Sequence, residues 1–268
     1  MESYRIGVVG CAGRMGRMLA RVIQETEGCS LAGGSDRPES GALGSDLGVL
    51  AGLGELGLPV SDDSVTLFAQ SDAVIDFTTP AATAMHADLA AQAQAVLIVG
   101  TTGLDAAQDR RIELAAKHTA VVQAANMSLG VNLLLGLVEQ VARALDPDYD
   151  IEILDLHHRH KVDAPSGTAL ALGEAAAAGR GVDLEAKAQR SRDGITGPRN
   201  PGDIGFGVLR GGDVAGDHSV IFAGPGERLI LEHRATSRDV FAKGAVKAAL
   251  WARDKRPGLY SMRDVLGI

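Results

Sequence analysis

Tyr4-Arg-Ile-Gly-Val-Val-Gly10-Cys-Ala-Gly13-Arg-Met-Gly16 is the stretch that decides the fold. Residues 4–9 form an apolar run of strand length, and residues 17–25 carry a helical pattern. Between them three glycines are spaced GxxGxxG. Strand, glycine turn, helix is the order that a dinucleotide site requires. Gly10 permits the tight turn, Gly13 lets a pyrophosphate approach the backbone, and Gly16 lets the helix pack on the strand. Against the strict GxGxxG the spacing is loose, and packing glycines alone can produce it. Its place at the first strand–helix junction gives it weight.

The pattern continues outward. A strand over residues 30–34 ends at Ser35-Asp36-Arg37. Asp36 stands 20 positions after Gly16, where an acid meets the adenosine ribose hydroxyls of NAD. Arg37 offers paired donors to the 2′-phosphate of NADP. Having both leaves NADH and NADPH open as cofactors, and an ordinary polar turn is the bland alternative. Residues 38–64 are Gly- and Ser-rich and read as a long loop. Strands are expected at 73–77, 96–99 and 120–123, with helices at 81–93 and 105–117. This alternation predicts an α/β protein with an N-terminal Rossmann-type, doubly wound parallel sheet. Ligands bind such sheets beyond the carboxyl ends of the strands. Residues 78–80, Gly100-Thr101-Thr102-Gly103 and Ala124-Ala125-Asn126-Met127 fall there.

The most chemical stretch is Asp155-Leu-His157-His158-Arg-His160-Lys161-Val-Asp-Ala-Pro-Ser166-Gly167-Thr168, followed by an Ala-rich helix over 169–178. Free N–H groups at a helix start, beside cations, make an anion site. Histidines there titrate near neutral pH and can move protons. A solvated basic face is the plain alternative. A metal site would use His158 and His160 on one strand face. Arg159 and Lys161 would repel the ion, so no metal is expected. Nucleic acid fits poorly with a net charge of -8 and 3% aromatics.

The chain has 268 residues, 46% of them hydrophobic and 22% charged, which suits one large or two modest globular domains. Cys11 and Cys29 make no disulfide framework or CxxC motif, so a reducing, cytoplasmic setting is expected. No signal peptide or membrane span is visible. In the C-terminal half a helix is expected over 129–145 and a strand over 150–156. Residues 190–205 read as a loop that can move. Strands over 206–210, 217–223 and 227–233 suggest a second α+β domain with an open mixed sheet. Such a sheet favours a homo-oligomer. A helix over 241–252 and a segment over 259–266 close the pattern.

With these pieces assembled, the chain resembles the dihydrodipicolinate reductase family of bacterial lysine biosynthesis along its whole length. The most specific stretch is Glu152 to Thr168. Gly10 to Gly16, Phe77-Thr-Thr-Pro80, Gly100 to Gly103, Ala124-Ala-Asn-Met-Ser-Leu-Gly130 and Leu250-Trp251 support it. The resemblance implies a discontinuous dinucleotide-binding domain, residues 1–127 with 239–268. Residues 128–238 would be a domain for substrate and for assembly into a homotetramer. It implies NAD(P)H-dependent reduction of a cyclic imine dicarboxylate. His157 matches the acid/base histidine, and His158 a substrate-binding one. Lys161 matches a proton donor and carboxylate contact. Gly167 and Thr168, with Ser166 in the same turn, match the donors that hold a substrate carboxylate. Gly10, Cys11, Ala12, Gly13, Arg14, Met15, Asp36, Arg37, Gly100, Thr101, Thr102, Ala124, Ala125, Asn126 and Met127 match cofactor contacts.

Three departures stand out. Thr79 replaces the arginine that some members carry, which leaves Arg37 as the basic candidate for a 2′-phosphate. Met127 stands where some have phenylalanine, and Asp36 where glutamate is frequent. Rival readings are another NAD(P)-dependent dehydrogenase, a non-catalytic dinucleotide-binding redox sensor, and a Schiff-base lyase built on Lys161.

Overall fold

The computed structural model describes residues 3–268. The chain forms two compact units, Met1–Leu129 with Asp239–Gly267, and Gly130–Arg238 with Ile268. Along the first run lie β1 (Tyr4–Val9), α1 (Arg14–Glu25), β2 (Cys29–Ser35), α2 (Leu47–Ala51) and α3 (Ser64–Gln70). Next come β3 (Ala73–Asp76), α4 (Pro80–Ala93), β4 (Val96–Val99), α5 (Ala106–Ala115) and β5 (Ala120–Gln123). The second unit holds nearly all of α6 (Leu129–Ala144), then β6 (Asp150–His157), α7 (Gly167–Arg180), α8 (Leu184–Lys187) and β7 (Ala188–Gln189). It ends with β8 (Ile204–Arg210), β9 (Gly216–Gly224) and β10 (Glu227–Ala235). The chain then returns to the first unit with α9 (Asp239–Ala252), β11 (Gly258–Tyr260) and α10 (Met262–Leu266).

The first unit carries a parallel sheet in the order β11-β5-β4-β3-β1-β2. Every residue of β3 and β4 is buried, as expected of strands covered on both faces. Small residues let the helices come close. A Cβ at Gly244 of α9 would lie 1.7 Å from the Met127 carbonyl oxygen, so only glycine fits. Ala242, Ala245, Ala248, Ala249 and Ala252 bring the same helix into the core. Strand order reverses between β1 and β3, and a crevice at their carboxyl ends follows from that reversal.

The expectation of an irregular loop over 38–64 is corrected. Asp46 caps α2 through Val49 N–H and also accepts from Leu56 and Leu58 N–H. One carboxylate thus organises a stretch that has no periodic signal. Helix α3 and the short α8, β7 and β11 lie outside the elements read from the sequence. They are too brief for periodicity to report.

In the second unit the sheet order is β10-β9-β6-β8-β7. Strands β6 and β8 pair in parallel, as do β7 and β8, while β6/β9 and β9/β10 are antiparallel. Burial alternates along β6 with period two. Ile151 and Ile153 join Leu134, Val138, Leu172 and Ala176 in one core. Asp155 and His157 continue the same face. Among the described residues no helix packs a core on the opposite face, where Leu209 and Ile230 are 49% and 54% exposed. Residues 190–203 have no helix or strand, as expected, but Arg192 and Arg199 both bind Glu152, and Arg199 also binds Asp150.

Candidate active site and cofactor cradle

In the first unit Gly10 turns the chain with φ +66°, and a Cβ there would lie 2.8 Å from Thr78 Cγ2. At Gly16 a Cβ would lie 2.3 Å from the Gly10 carbonyl oxygen and 2.5 Å from Cys11 Cα. The helix start therefore sits against the turn. Gly13 is the N-cap of α1 and offers no side-chain cap, so the first-turn N–H groups are available to an anion. Beside them is a cavity of about 1020 Å³ whose lining includes Gly10, Gly13, Asp36, Arg37, Thr78 and Thr79. Asp36 accepts from Ala12 N–H at 3.0 Å and from Arg37 N–H at 2.8 Å. A glycine-bared helix start, an acid and a cation around one cavity fit a dinucleotide.

Behind this cavity is a buried pair. Asp76 and His86 meet at 2.8 Å, and Asp76 also accepts from Thr78 N–H and from the Thr78 and Thr101 hydroxyls. Burial works to raise the Asp76 carboxyl, but its His86 and Thr78 hydrogen bonds outweigh that and hold it low.

In the second unit β6 delivers Asp155 and His157 to one face, two residues apart. His157 Nδ1 lies 2.7 Å from Asp155 Oδ1, off the ring N–H axis, so this is a close contact, ionic only when the ring is protonated, rather than an aligned hydrogen bond. The second Asp155 oxygen accepts from Ser166 N–H at 2.8 Å and from Arg210 at 3.2 Å. His218, opposite Asp155 on β9, lies 3.4 Å from Oδ1 and 3.1 Å from the Ser166 hydroxyl. Ser166 caps α7 by accepting from Ala169 N–H. Gly167 is exposed with open space where a Cβ would point, so the helix start is accessible. Lys161 pairs with Asp163 at 2.9 Å.

Burial favours the neutral Asp155 carboxyl, yet hydrogen bonds from His218, Ser166 and Arg210 hold it well below the usual range. Burial lowers His157, Asp155 opposes this, and the charges of His218 and Lys161 add to the lowering. Asp155, His157 and His218 bring three donor atoms within 4.8 Å of one another, which by number would suit a metal. Arg210 already occupies the carboxylate, and Lys161 acts on His157 by charge, so a third cation is opposed.

Comparison with known proteins settles the family. A family model described as dihydrodipicolinate reductase, N-terminus, matches residues 4–127, and one for the C-terminus matches residues 130–266. The chain belongs to the dihydrodipicolinate reductase family. It is 59% identical to the 4-hydroxy-tetrahydrodipicolinate reductase of Rhizobium rhizogenes over 268 residues, 100% of this chain and 98% of that protein. It is 60% identical to 4-hydroxy-tetrahydrodipicolinate reductase 1 of Mesorhizobium japonicum over 262 residues, 97% and 96% of the two chains. The fold matches a dipicolinate-bound dihydrodipicolinate reductase from Paenisporosarcina sp. TG-14 with a TM-score of 0.76 at 23% identity, over 97% of each chain. Membership makes this chain an NAD(P)H-dependent oxidoreductase of lysine and diaminopimelate biosynthesis. Among the described residues no helix is long and apolar enough to cross a membrane.

Placement of the expected site residues in this reductase is uneven. Gly10, Ala12, Gly13, Asp36 and Arg37 line the cavity, and Arg14 and Met15 open α1. Cys11 offers less than expected: its N–H bonds the Ser35 carbonyl and its side chain is fully buried. Thr101 spends its hydroxyl inside the protein, between Thr83 and Asp76. Met127 is 1% exposed in the core, because α9 packs on it. Among the described residues Gly100, Thr102, Ala124, Ala125 and Asn126 stand at strand ends outside that cavity. His158 and His160 do not share a strand face, since β6 ends at His157. His158 instead meets Arg238 through Nε2 at 3.3 Å.

Asp155, Arg210 and His218 were not among the expected site residues. Asp155 had a signal in its spacing, two before His157 on a strand. His218 and Arg210 are distant in sequence and carry none.

Proposed function

We propose that this chain reduces 4-hydroxy-tetrahydrodipicolinate, a cyclic imine dicarboxylate, to tetrahydrodipicolinate, with His157 and Lys161 supplying the proton. It works as a cytoplasmic homotetramer, residues 128–238 serving substrate and assembly and the rest the dinucleotide. The overall balance is substrate plus NAD(P)H plus a proton giving product, NAD(P)⁺ and water. The observation that carries the reading is the cluster at the end of β6: the His157 imidazole stands 2.7 Å from Asp155 and feels the charge of Lys161 on the following loop, beside the open start of α7. The names of the relatives at 59–60% identity support the substrate.

When bound, NAD(P)H supplies the hydride; the protein supplies position and charge. The N–H groups at Gly167 and Thr168 and the Lys161 ammonium receive a substrate carboxylate. His158 adds a contact on the same side. Reduction leaves negative charge on the ring system, and His157 Nε2 delivers the proton that quenches it. Such a transfer contributes about 10²–10⁴-fold. In the first unit, Gly10 to Met15, Asp36, Arg37, Gly100 to Thr102 and Ala124 to Met127 hold the dinucleotide. Cys11, Thr101 and Met127 act through shape rather than through their side-chain polar atoms. The half-exposed apolar face of the second sheet, with Leu209 and Ile230, is the surface for assembly.

The test is absorbance at the nicotinamide band, with substrate made in situ from pyruvate and aspartate semialdehyde by a coupled synthase. Oxidation that requires the synthase is the expected result. Cofactor that binds but stays reduced would move the assignment to another dehydrogenase of this fold.

A further inference from the structure

We propose that Asp155 is the positioning residue of this reaction, holding the His157 ring by Nδ1 so that the proton leaves from Nε2 alone. This rests on the reading of His157 as the acid. Asp155 is 1% exposed and is gripped from several sides. Ser166 N–H and Arg210 fix Oδ2, and His218 approaches Oδ1 from β9. An ionised carboxylate offers about four acceptor positions, so one remains for His157 Nδ1, 2.7 Å away.

The ring is confined on its other side as well. A Cβ at Gly216 would lie 2.9 Å from His157 Nε2, and Gly216 has φ +154°, which side chains rarely adopt. The His218 ring stands edge-on at 5.0 Å. His157 Nδ1, His218 Nδ1 and Arg210 Nε are all buried without an aligned partner. Buried polar atoms in that state mark a site held ready rather than relaxed. Catalytic hydrogen bonds are often misaligned before substrate binds and tighten in the complex.

The consequence for proton transfer is direct. A carboxylate at Nδ1 keeps hydrogen on Nδ1 in the neutral ring, so Nε2 alone gains and loses the reacting proton. It also stabilises the imidazolium before transfer. Through Ser166 the same carboxylate is tied to the cap of α7, so the acid and the carboxylate-receiving helix start share one anchor. The charged groups facing His157 are Asp155 on β6, Arg210 on β8, and His218 on β9 with His233 beside it on β10. Lys161, paired with Asp163, faces it from the following loop.

The experiment uses Asp155→Asn, His157→Gln and the double variant, each assayed with NADPH and synthase-generated substrate across pH. Melting temperature and NADPH affinity are measured in parallel. Asp155→Asn is expected to lower kcat about 10–100-fold, by analogy with the loss typical when the outer partner that orients a metal-bound histidine is removed. NADPH affinity should stay within about threefold of wild type, below 1 kcal/mol. Removing the negative charge weakens protonated His157, so the alkaline limb of kcat/KM moves to lower pH. In the His157→Gln background the same change should cost little more. If Asp155→Asn leaves the limb in place and its loss multiplies in the double variant, Asp155 only holds α7, and the proposal fails. If His157→Gln keeps near-wild-type kcat, the acid assignment itself fails and takes this inference with it. Should Asp155→Asn not fold, nitrogen-detected long-range NMR on the wild-type histidines decides. Hydrogen on Nδ1 of neutral His157 is expected, and hydrogen on Nε2 overturns the proposal.

Discussion

In the proposed function the cofactor cradle and the acid cluster both meet anions, and they are made of different material. At the cradle the offered groups are backbone N–H groups, bared by glycines at a helix start. At the cluster they are side chains, and two of the contacts that fix them cross a long stretch of sequence: Asp155 to Arg210, Ser166 to His218. Backbone donors carry no titratable charge and need only shape. Side-chain donors have protonation states that neighbours must set. The first region is therefore sensitive to volume and the second to charge.

The harshest way to break this contrast is Gly16→Val. Its Cβ would overlap the backbone of Gly10 and Cys11, which cannot swing away. Overpacking of this kind costs about 1–3 kcal/mol or more, and here it also displaces the helix start. Calorimetry should show NAD(P)H affinity reduced at least about 100-fold, equivalent to ~2.7 kcal/mol. Binding near wild type would mean that the turn is not the cradle.

Gly216→Ala sharpens the contrast, because it tests volume inside the charge-governed region. The new methyl would press on His157 Nε2. We expect kcat to fall about 10-fold, ~1.4 kcal/mol of barrier, with NAD(P)H affinity kept. Unchanged kcat would show that the ring has room to move.

The mildest effect is on stability against pH. The folded values of His157 and Asp155 both lie below their ordinary ones. Groups of that kind stabilise above their unfolded values, and the contribution is lost as pH falls through the folded ones. His233 is lowered too, by burial first and then by His218. The second unit should therefore weaken from about pH 6.5 downward, ahead of any carboxylate protonation near pH 4. Segment-resolved hydrogen exchange at pH 7 and pH 5.5 should show lost protection in β6 and β9 but not in β1, β3 or β4. His157→Gln should reduce that loss. Equal loss in both sheets would remove the charge side of the contrast.

The frame around the first cavity was legible in the sequence because it is local. Strand, turn and helix follow one another within Tyr4 to Glu25, and residues 96–99 and 120–123 are strands as their apolar runs indicate. The run from His157 to Thr168 stood out in the same local way, whereas the capping of α7 by Ser166 emerged only from the structure. Local reading failed where one polar group organises distant backbone, as Asp46 does for residues 46–58. It failed again where partners arrive from other strands, as His218 and Arg210 do at Asp155. Cys11, Thr101 and Met127 show a third limit: a motif names positions, and only packing tells which of their atoms face a ligand.

The return of the chain to its first unit has a consequence for biogenesis. Helix α9 gives Ala242, Ala245, Val246, Ala248 and Ala249 to the core beneath the parallel sheet, and β11 is its edge strand. On the ribosome, β1 to β5 emerge early yet lack this cover until residues 239–260 have been made. The second unit, continuous from residue 130 to 238, has all its strands before then. Translation thus inverts the usual order in which N-terminal domains finish first, and leaves an apolar sheet face for a chaperone to shield in the interval.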